Sequence, residues 1–464
     1  MDKKRLNALL LVSFIFSVFM LWDAWQRSHQ PPPAPAADPA QTVPGAPSPA
    51  ANGGVPTVTA APTASVPAAN VPKATVQTDL FKAEISAQGG DLVFLELEKH
   101  RATLDASKNF VLFQNDPKQH IYIAQSGLIG EGLPNHKTTY SLEKAEYVMA
   151  DGEDSVSVRM TAPAANGVKV SKIYTFKRGS YLIDVSYEIN NASKATVTPF
   201  GYFQTLRDGK EPDSHTSGAF GVTTFTGPAV YTAADHYQKV HFADIDKDKA
   251  KYAHKADNGW IGLVQHYFFS AWLPQGKAER EFYIDRMDSN LYRAGVKFAL
   301  PAVEAGQTVK VDVPLYAGPQ EQEKLEAIAP GLDLVVDYGW LTIIAAPLFW
   351  VMQLFHGFIG NWGWTIIALT VMLKLIFFPL SAASYKSMAK MRIVMPQMTR
   401  IKETYKDDRT KMNVEMMELY KREKINPLGG CLPVVVQIPV FIALYWVLLG
   451  TVEIRNAPWL GWIT

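Results

Sequence analysis

The chain has 464 residues, with 45 Lys and Arg against 44 Asp and Glu, a formal net charge of +1. That length leaves room for a large extramembrane domain beside any membrane part. The even balance argues against a basic nucleic-acid surface, and the single cysteine, Cys431, excludes an intramolecular disulfide.

Charge is unevenly distributed along the chain. Residues 381–425 carry 11 basic and 6 acidic side chains, whereas residues 23–330 carry 29 basic and 34 acidic ones. Basic loops stay on the cytoplasmic side of a membrane, so this asymmetry reads as topology.

Residues 1–25 begin with Lys3, Lys4 and Arg5 and continue into an apolar stretch, LNALLLVSFIFSVFMLW, at 6–22. No small-x-small cleavage site follows, so the segment reads as an uncleaved signal-anchor helix. Residues 26–74 are rich in Pro, Ala and Thr and form a predicted disordered tether.

From 75 to 318 the hydrophobic period becomes two. Val156, Val158 and Met160 share one face, as do Tyr181, Ile183, Val185, Tyr187 and Ile189. Such alternation predicts half-buried antiparallel strands. Arg178-Gly179-Ser180 predicts a hairpin, and Gly89-Gly90, Asn166-Gly167 and Asn190-Asn191 predict turns. The stretch is expected to form a large β-sandwich without a catalytic constellation. His236, His241, His254 and His266 lack metal-ligand spacing.

Residues 319–360 predict a helix closed by Pro330-Gly331, then an apolar segment interrupted at Pro347. Counting crossings makes this segment an amphipathic helix lying along the outer interface. Residues 361–380 and 428–450 are each about 20 residues long, enough to span ~30 Å of hydrocarbon. Each carries a deep polar residue, Lys374 and Gln437, of a kind that usually faces protein or a water-filled cavity. Residues 451–464 start the next outer loop.

Between the spans, residues 381–427 predict a helical hairpin turning at Lys406-Asp407-Asp408-Arg409. Met388, Met391, Met395 and Met398 form one stripe, continued by Tyr405; Met412, Met416 and Leu419 form the facing one. The stripes either fill the hairpin seam or offer an adaptable surface to apolar partners.

The stretches YAGPQEQEKLEAIAPGLDLVVDYGW at 316–340, NWGWTIIALTVMLKLIFFPLSAASYKSMAKM at 361–391 and NPLGGCLPVVVQIP at 426–439 resemble the Gram-negative branch of the YidC/Oxa/Alb family of membrane insertases. The resemblance is close over about 316–458. It implies an α-helical membrane protein with a large all-β periplasmic domain, a β-supersandwich related to sugar-binding folds, and a cytoplasmic helical hairpin. It further implies insertion of inner-membrane proteins, alone or beside the Sec translocon, through a hydrophilic, cationic groove. By that likeness Lys374, Thr370 and Gln437 are polar groove positions, and Ile438 and Phe441 lie where a nascent helix slides. The implied partners are nascent inner-membrane proteins, the Sec translocon, the ribosome, the signal recognition particle receptor and membrane lipids. No cofactor, metal, enzymatic chemistry or nucleic-acid substrate is expected.

The chain departs from the family in two ways. Family members usually have Arg where this chain has Lys374, which keeps the charge and loses the planar donor fork. The family core has five transmembrane helices, so a chain ending at Thr464 is expected to be C-terminally incomplete. Two rival readings differ in what they require. A membrane-anchored periplasmic carbohydrate-binding protein needs clustered acids and aromatics in the β-domain, and a channel or transporter needs an internal repeat.

Overall fold

A computed structural model describes residues 66, 71–103, 105–210, 225–288, 290–423 and 432–460. The predicted signal-anchor, most of the tether and the Asn426–Cys431 motif lie outside the described residues.

Among the described residues the β-domain is two sheets packed face to face, one of ten strands and one of nine. It starts at Lys73, two residues before the predicted boundary, because Lys73–Gln77 pairs with Phe81–Ser86. It ends with the strand Thr308–Pro319, which leads straight into the helical part. Pairing is antiparallel except where Lys73–Gln77 meets Glu146–Val148.

The alternating pattern selects the core. Ile183, Val185, Tyr187 and Ile189 are fully buried, as are Val158 and Met160. The strand of the first four, Leu182–Asn191, sits between Val168–Lys177 and Thr308–Pro319. The first pairing makes the predicted hairpin at 178–180, where Gly179 takes φ +69°, a backbone region that favours glycine. Asn190 and Asn191 end the strand instead of forming the turn themselves. Asn191 is buried and its side chain donates to Ala195 O and Val303 O while accepting from Ser193.

One buried polar cluster interrupts this core. Lys172 Nζ donates to Gly89 O at 3.1 Å and Ser126 O at 3.2 Å, and Asp91 accepts from Gln125 Nε2 at 2.6 Å. Burial pushes the Asp91 carboxyl up and the Lys172 ammonium down, and their mutual attraction opposes both shifts.

Six α-helices follow among the described residues: α1 Gln322–Ile328, α2 Thr342–Ile359, α3 Trp362–Ile376, α4 Phe378–Thr404, α5 Arg409–Arg422 and α6 Leu432–Gly450. α2 runs through Pro347 without a break. Proline there forfeits one backbone bond in the second turn, and the helix continues through it. Nor is α2 amphipathic as predicted. Ala345, Leu348, Phe349 and Met352 are buried, yet its outer face is also apolar, with Ile343, Trp350, Leu354 and Phe358 exposed. Among the described residues it is the one unbroken helix long and apolar enough to cross a membrane.

The predicted span 361–380 is two helices bent by 57° at Phe377. Pro379 has no N–H to continue the ladder of α3, and it sits in the first turn of α4, where that loss costs least. The hairpin helix α4 therefore starts inside the apolar stretch. α2, α3 and α6 bury a common core built from Leu348, Met352, Leu369, Leu373, Ala443 and Val447.

Candidate functional site

Of the residues singled out in the sequence, Lys374 on α3 and Phe441 on α6 approach each other, whereas Thr370 and Gln437 have their hydrogen-bond partners elsewhere. Asn361 caps α3, its side chain accepting from Trp364 N at 3.2 Å. Thr370 and Lys374, four residues apart, share one face of α3, and Gln437 and Phe441 share one face of α6. These faces meet: Lys374 Nζ lies 5.0 Å from the centre of the Phe441 ring. A cation within about 6 Å of a ring face is attracted by its quadrupole. The lysine arm thus turns toward α6. Neither Trp362–Ile376 nor Leu432–Gly450 contains an Asp or Glu, so Lys374 is the one formal charge in the two helices.

Gln437 Nε2 donates to Ser381 Oγ at 3.2 Å, tying α6 to the start of α4. Thr370 Oγ1 donates to Ile366 O at 2.8 Å, which satisfies its proton within its own helix. Ile438 is 49% exposed, an open apolar surface beside the polar pair. Ser381 was not singled out from the sequence. Its signal was its position two helical turns after Lys374, as an apolar stretch gives way to polar residues.

In the hairpin, Asp408 caps α5 by accepting from Lys411 N at 3.0 Å, so the predicted turn lies between α4 and α5. The methionine stripe divides. Met391, Met398, Met412 and Met416 are half-buried, whereas Met388 and Met395 are exposed. Val394 and Leu419 are the buried apolar residues of α4 and α5. Tyr420 OH approaches Met398 Sδ at 4.0 Å across the seam. No cluster of metal-ligating side chains occurs among the described residues.

Residues 73–351 match the YidC periplasmic domain model, and residues 354–464 match the 60Kd inner membrane protein model. Curated relatives named membrane protein insertase YidC are similar over the whole chain. That of Aromatoleum aromaticum is 58% identical over all of this chain and 84% of its own length. Those of Dechloromonas aromatica and Nitrosospira multiformis are 52% and 48% identical, covering 83% and 84% of their lengths. A galactose mutarotase related enzyme from Lactobacillus acidophilus is similar over 53% of this chain and 97% of its own, at 10% identity and a TM-score of 0.35, too low a likeness to bear on function. With two family models together spanning almost everything from residue 73 onward, and about half of the residues shared with full-chain relatives, the chain belongs to the YidC family of membrane protein insertases.

Proposed function

We propose that this inner-membrane insertase, with its β-domain in the periplasm, moves client segments along the face between α3 and α6. The observation that carries the reading is the exposed Lys374 ammonium 5.0 Å from the Phe441 ring of α6, on two helices that contain no acid. A client's polar tail must cross hydrocarbon, where each unsatisfied polar group costs several kcal/mol. A hydrated groove with a fixed cation shortens the apolar path and attracts acidic tails. Thr370 and Gln437 extend its polar wall. Ile438 and the Phe441 ring give the client's apolar helix a surface leading to lipid. No covalent step is required, and the role is that of an insertion factor.

The supporting topology is three crossings, by residues 1–25, the bent pair around Phe377, and α6, with the N-terminus and the hairpin in the cytoplasm. The charge excess of residues 381–425 favours it. α2, apolar on both sides, then lies embedded at the outer leaflet. The exposed Met388 and Met395 suit adaptable contact with emerging apolar segments, and the basic hairpin faces lipid headgroups, the ribosome and the signal recognition particle receptor. The Sec translocon is the proposed neighbour for larger clients.

The test is protease protection of paired clients that differ only in tail charge, in cells depleted of their native insertase. Loss of insertion of the acidic-tailed client on Lys374→Glu supports the reading. Equal insertion of both clients by that variant overturns it.

A further inference from the structure

The segment after α6 touches both the β-domain and the first turn of α3. Val452 is buried in the β-domain core. The Arg455 guanidinium lies 5.3, 5.4 and 6.0 Å from the ring centres of Tyr267, Phe268 and Phe110. It also donates to Arg101 O at 2.6 Å and to Thr103 Oγ1 at 3.1 Å. His266 donates from Nε2 to Leu449 O at 3.1 Å, at the end of α6. Glu453 Oε1 accepts from Gln322 N at 3.3 Å, at the start of α1.

Further along, Pro458 O accepts from Asn361 Nδ2 at 3.0 Å. Trp459 packs edge-on against Trp364, with ring centres 5.8 Å apart. A Cβ on Gly363 would fall 2.3 Å from the Trp459 indole, so this close approach requires glycine.

The hairpin that receives Arg455 is itself strained. Tyr267, in the turn between Trp260–Val264 and Phe268–Trp272, has φ +69°, a region a bulky side chain seldom adopts. Gln320 holds this turn by donating from its backbone to Tyr267 O at 2.8 Å and from Nε2 to Gln265 O at 2.7 Å. Such conformations persist only where the surroundings over-determine them, and they gather at functional positions.

We infer that residues 451–460 are a strap that locks the β-domain to the adjoining ends of α3 and α6, with Arg455 as its pin and Trp459 as its far anchor. Through the strap the β-domain holds those helix ends together, while the opposite end, around Lys374 and Gln437, stays free to receive a client. The strap rests on these contacts alone and would hold whether or not clients pass along the α3–α6 face. Arg455 acts as a positioning residue. Its environment is otherwise poor in mobile charge. Burial, aided by the Arg455 cation, holds His100 down to about 4 and lowers His266, so both imidazoles beside it stay neutral at neutral pH. Lys324, the other nearby cation acting on His100, pairs with Glu321.

Pulsed electron resonance distances test the strap. In the full chain with Cys431→Ser, spin labels are placed at Lys194→Cys, exposed on the β-domain, and Gly357→Cys, where an added Cβ meets nothing within 4 Å. Measurements are made in lipid nanodiscs, with β-domain melting followed in parallel. The unsubstituted strap should give one narrow distance distribution. Arg455→Ala should at least double its width while melting stays within a few degrees. Arg455→Lys, which keeps the cation and loses the fork, should broaden it by about half. An unchanged width in Arg455→Ala overturns the inference, as does a broad distribution with the strap intact. If Arg455→Ala lowers the melting temperature strongly, Arg455→Lys decides by the same reading, and an unchanged width there overturns the inference.

Discussion

Lys374 and Phe441 face each other across the α3–α6 seam, with Nζ 5.0 Å from the ring centre. The lysine arm turns toward the partner helix while its side chain stays exposed. The contact leaves the ammonium's donors available to whatever enters the seam.

The charge of Lys374 should therefore matter more than its shape. Lys374→Arg should insert clients within about twofold of the parent. Lys374→Ala and Lys374→Glu should lower insertion of acidic-tailed clients, by about tenfold for Glu, which corresponds to ~1.4 kcal/mol. Neutral short-tailed clients should change little, since attraction to a cation grows as the surrounding dielectric falls. Protease protection of the paired clients reads this directly.

Topology is tested with single cysteines in a chain carrying Cys431→Ser. Ser107 and Thr410 are both exposed. A membrane-impermeant maleimide should label Ser107→Cys in intact spheroplasts and label Thr410→Cys after lysis only. The reverse pattern would overturn this topology, and labelling of both sites from the same side would require α2 to cross as well.

The bond from Gln437 to Ser381 joins α6 to α4 across the bend. Interhelical hydrogen bonds of this type contribute about 0.6 kcal/mol on average, with a maximum near ~1.7. Gln437→Leu and Ser381→Ala should each destabilise the helical part by about that amount. The double variant should cost little more than either single one. Steric-trapping measurements in bicelles give the three values; full additivity would show that the two side chains do not act together.

Glu453 gives a pH dependence of definite sign. Burial, with Glu321 and Glu323 nearby, pushes its carboxyl up to about 7, while its ordinary value is 4.5. The folded state then holds a proton that the unfolded state has released, so stability falls as pH rises from about 4.5 through 7. At about 1.36 kcal/mol per pH unit the contribution reaches roughly 3 kcal/mol. Glu453→Gln keeps an acceptor for Gln322 N and cannot ionise. It should melt like the parent at about pH 4.5 and several degrees higher at about pH 8. Parallel melting curves for the two proteins across that range would remove Glu453 from the account.

The Asp91–Lys172 cluster predicts a second stability effect. The two groups are not in direct contact but attract each other through the dry core, so removing either leaves the other's buried charge uncompensated, at a cost of about 1–3 kcal/mol. Lys172→Met or Asp91→Asn should each lower β-domain melting strongly. The pair of changes together should cost less than the sum of the two. A denaturant titration of all four proteins measures this.

Much of the architecture was legible from local pattern. Period-two alternation at 155–160 and 181–189 marked strands that pack on one face, because a strand presents successive side chains to opposite sides. The two apolar stretches with Lys374 and Gln437 were legible because hydrocarbon penalises such residues wherever they lack a use. The tertiary structure decided what those residues touch. Nothing in the order of residues said that Lys374 meets Phe441 or that Gln437 reaches Ser381, since each pair is joined only by the packing of separate helices. The bend at Phe377 was readable in principle from Pro379, but an apolar run hides a break that leaves hydropathy unchanged. Leu419 lies in the hairpin's interior as its stripe suggested, but on α4 Val394 takes the place of the exposed Met388 and Met395, because a helix face is chosen by its partner and two adjacent stripes satisfied the spacing equally well. Residues 451–460 read as a plain loop in the sequence. Their contacts with Arg101, Phe110, Tyr267, Asn361 and Trp364 are made across up to 354 positions of chain, and only the folded molecule brings them together.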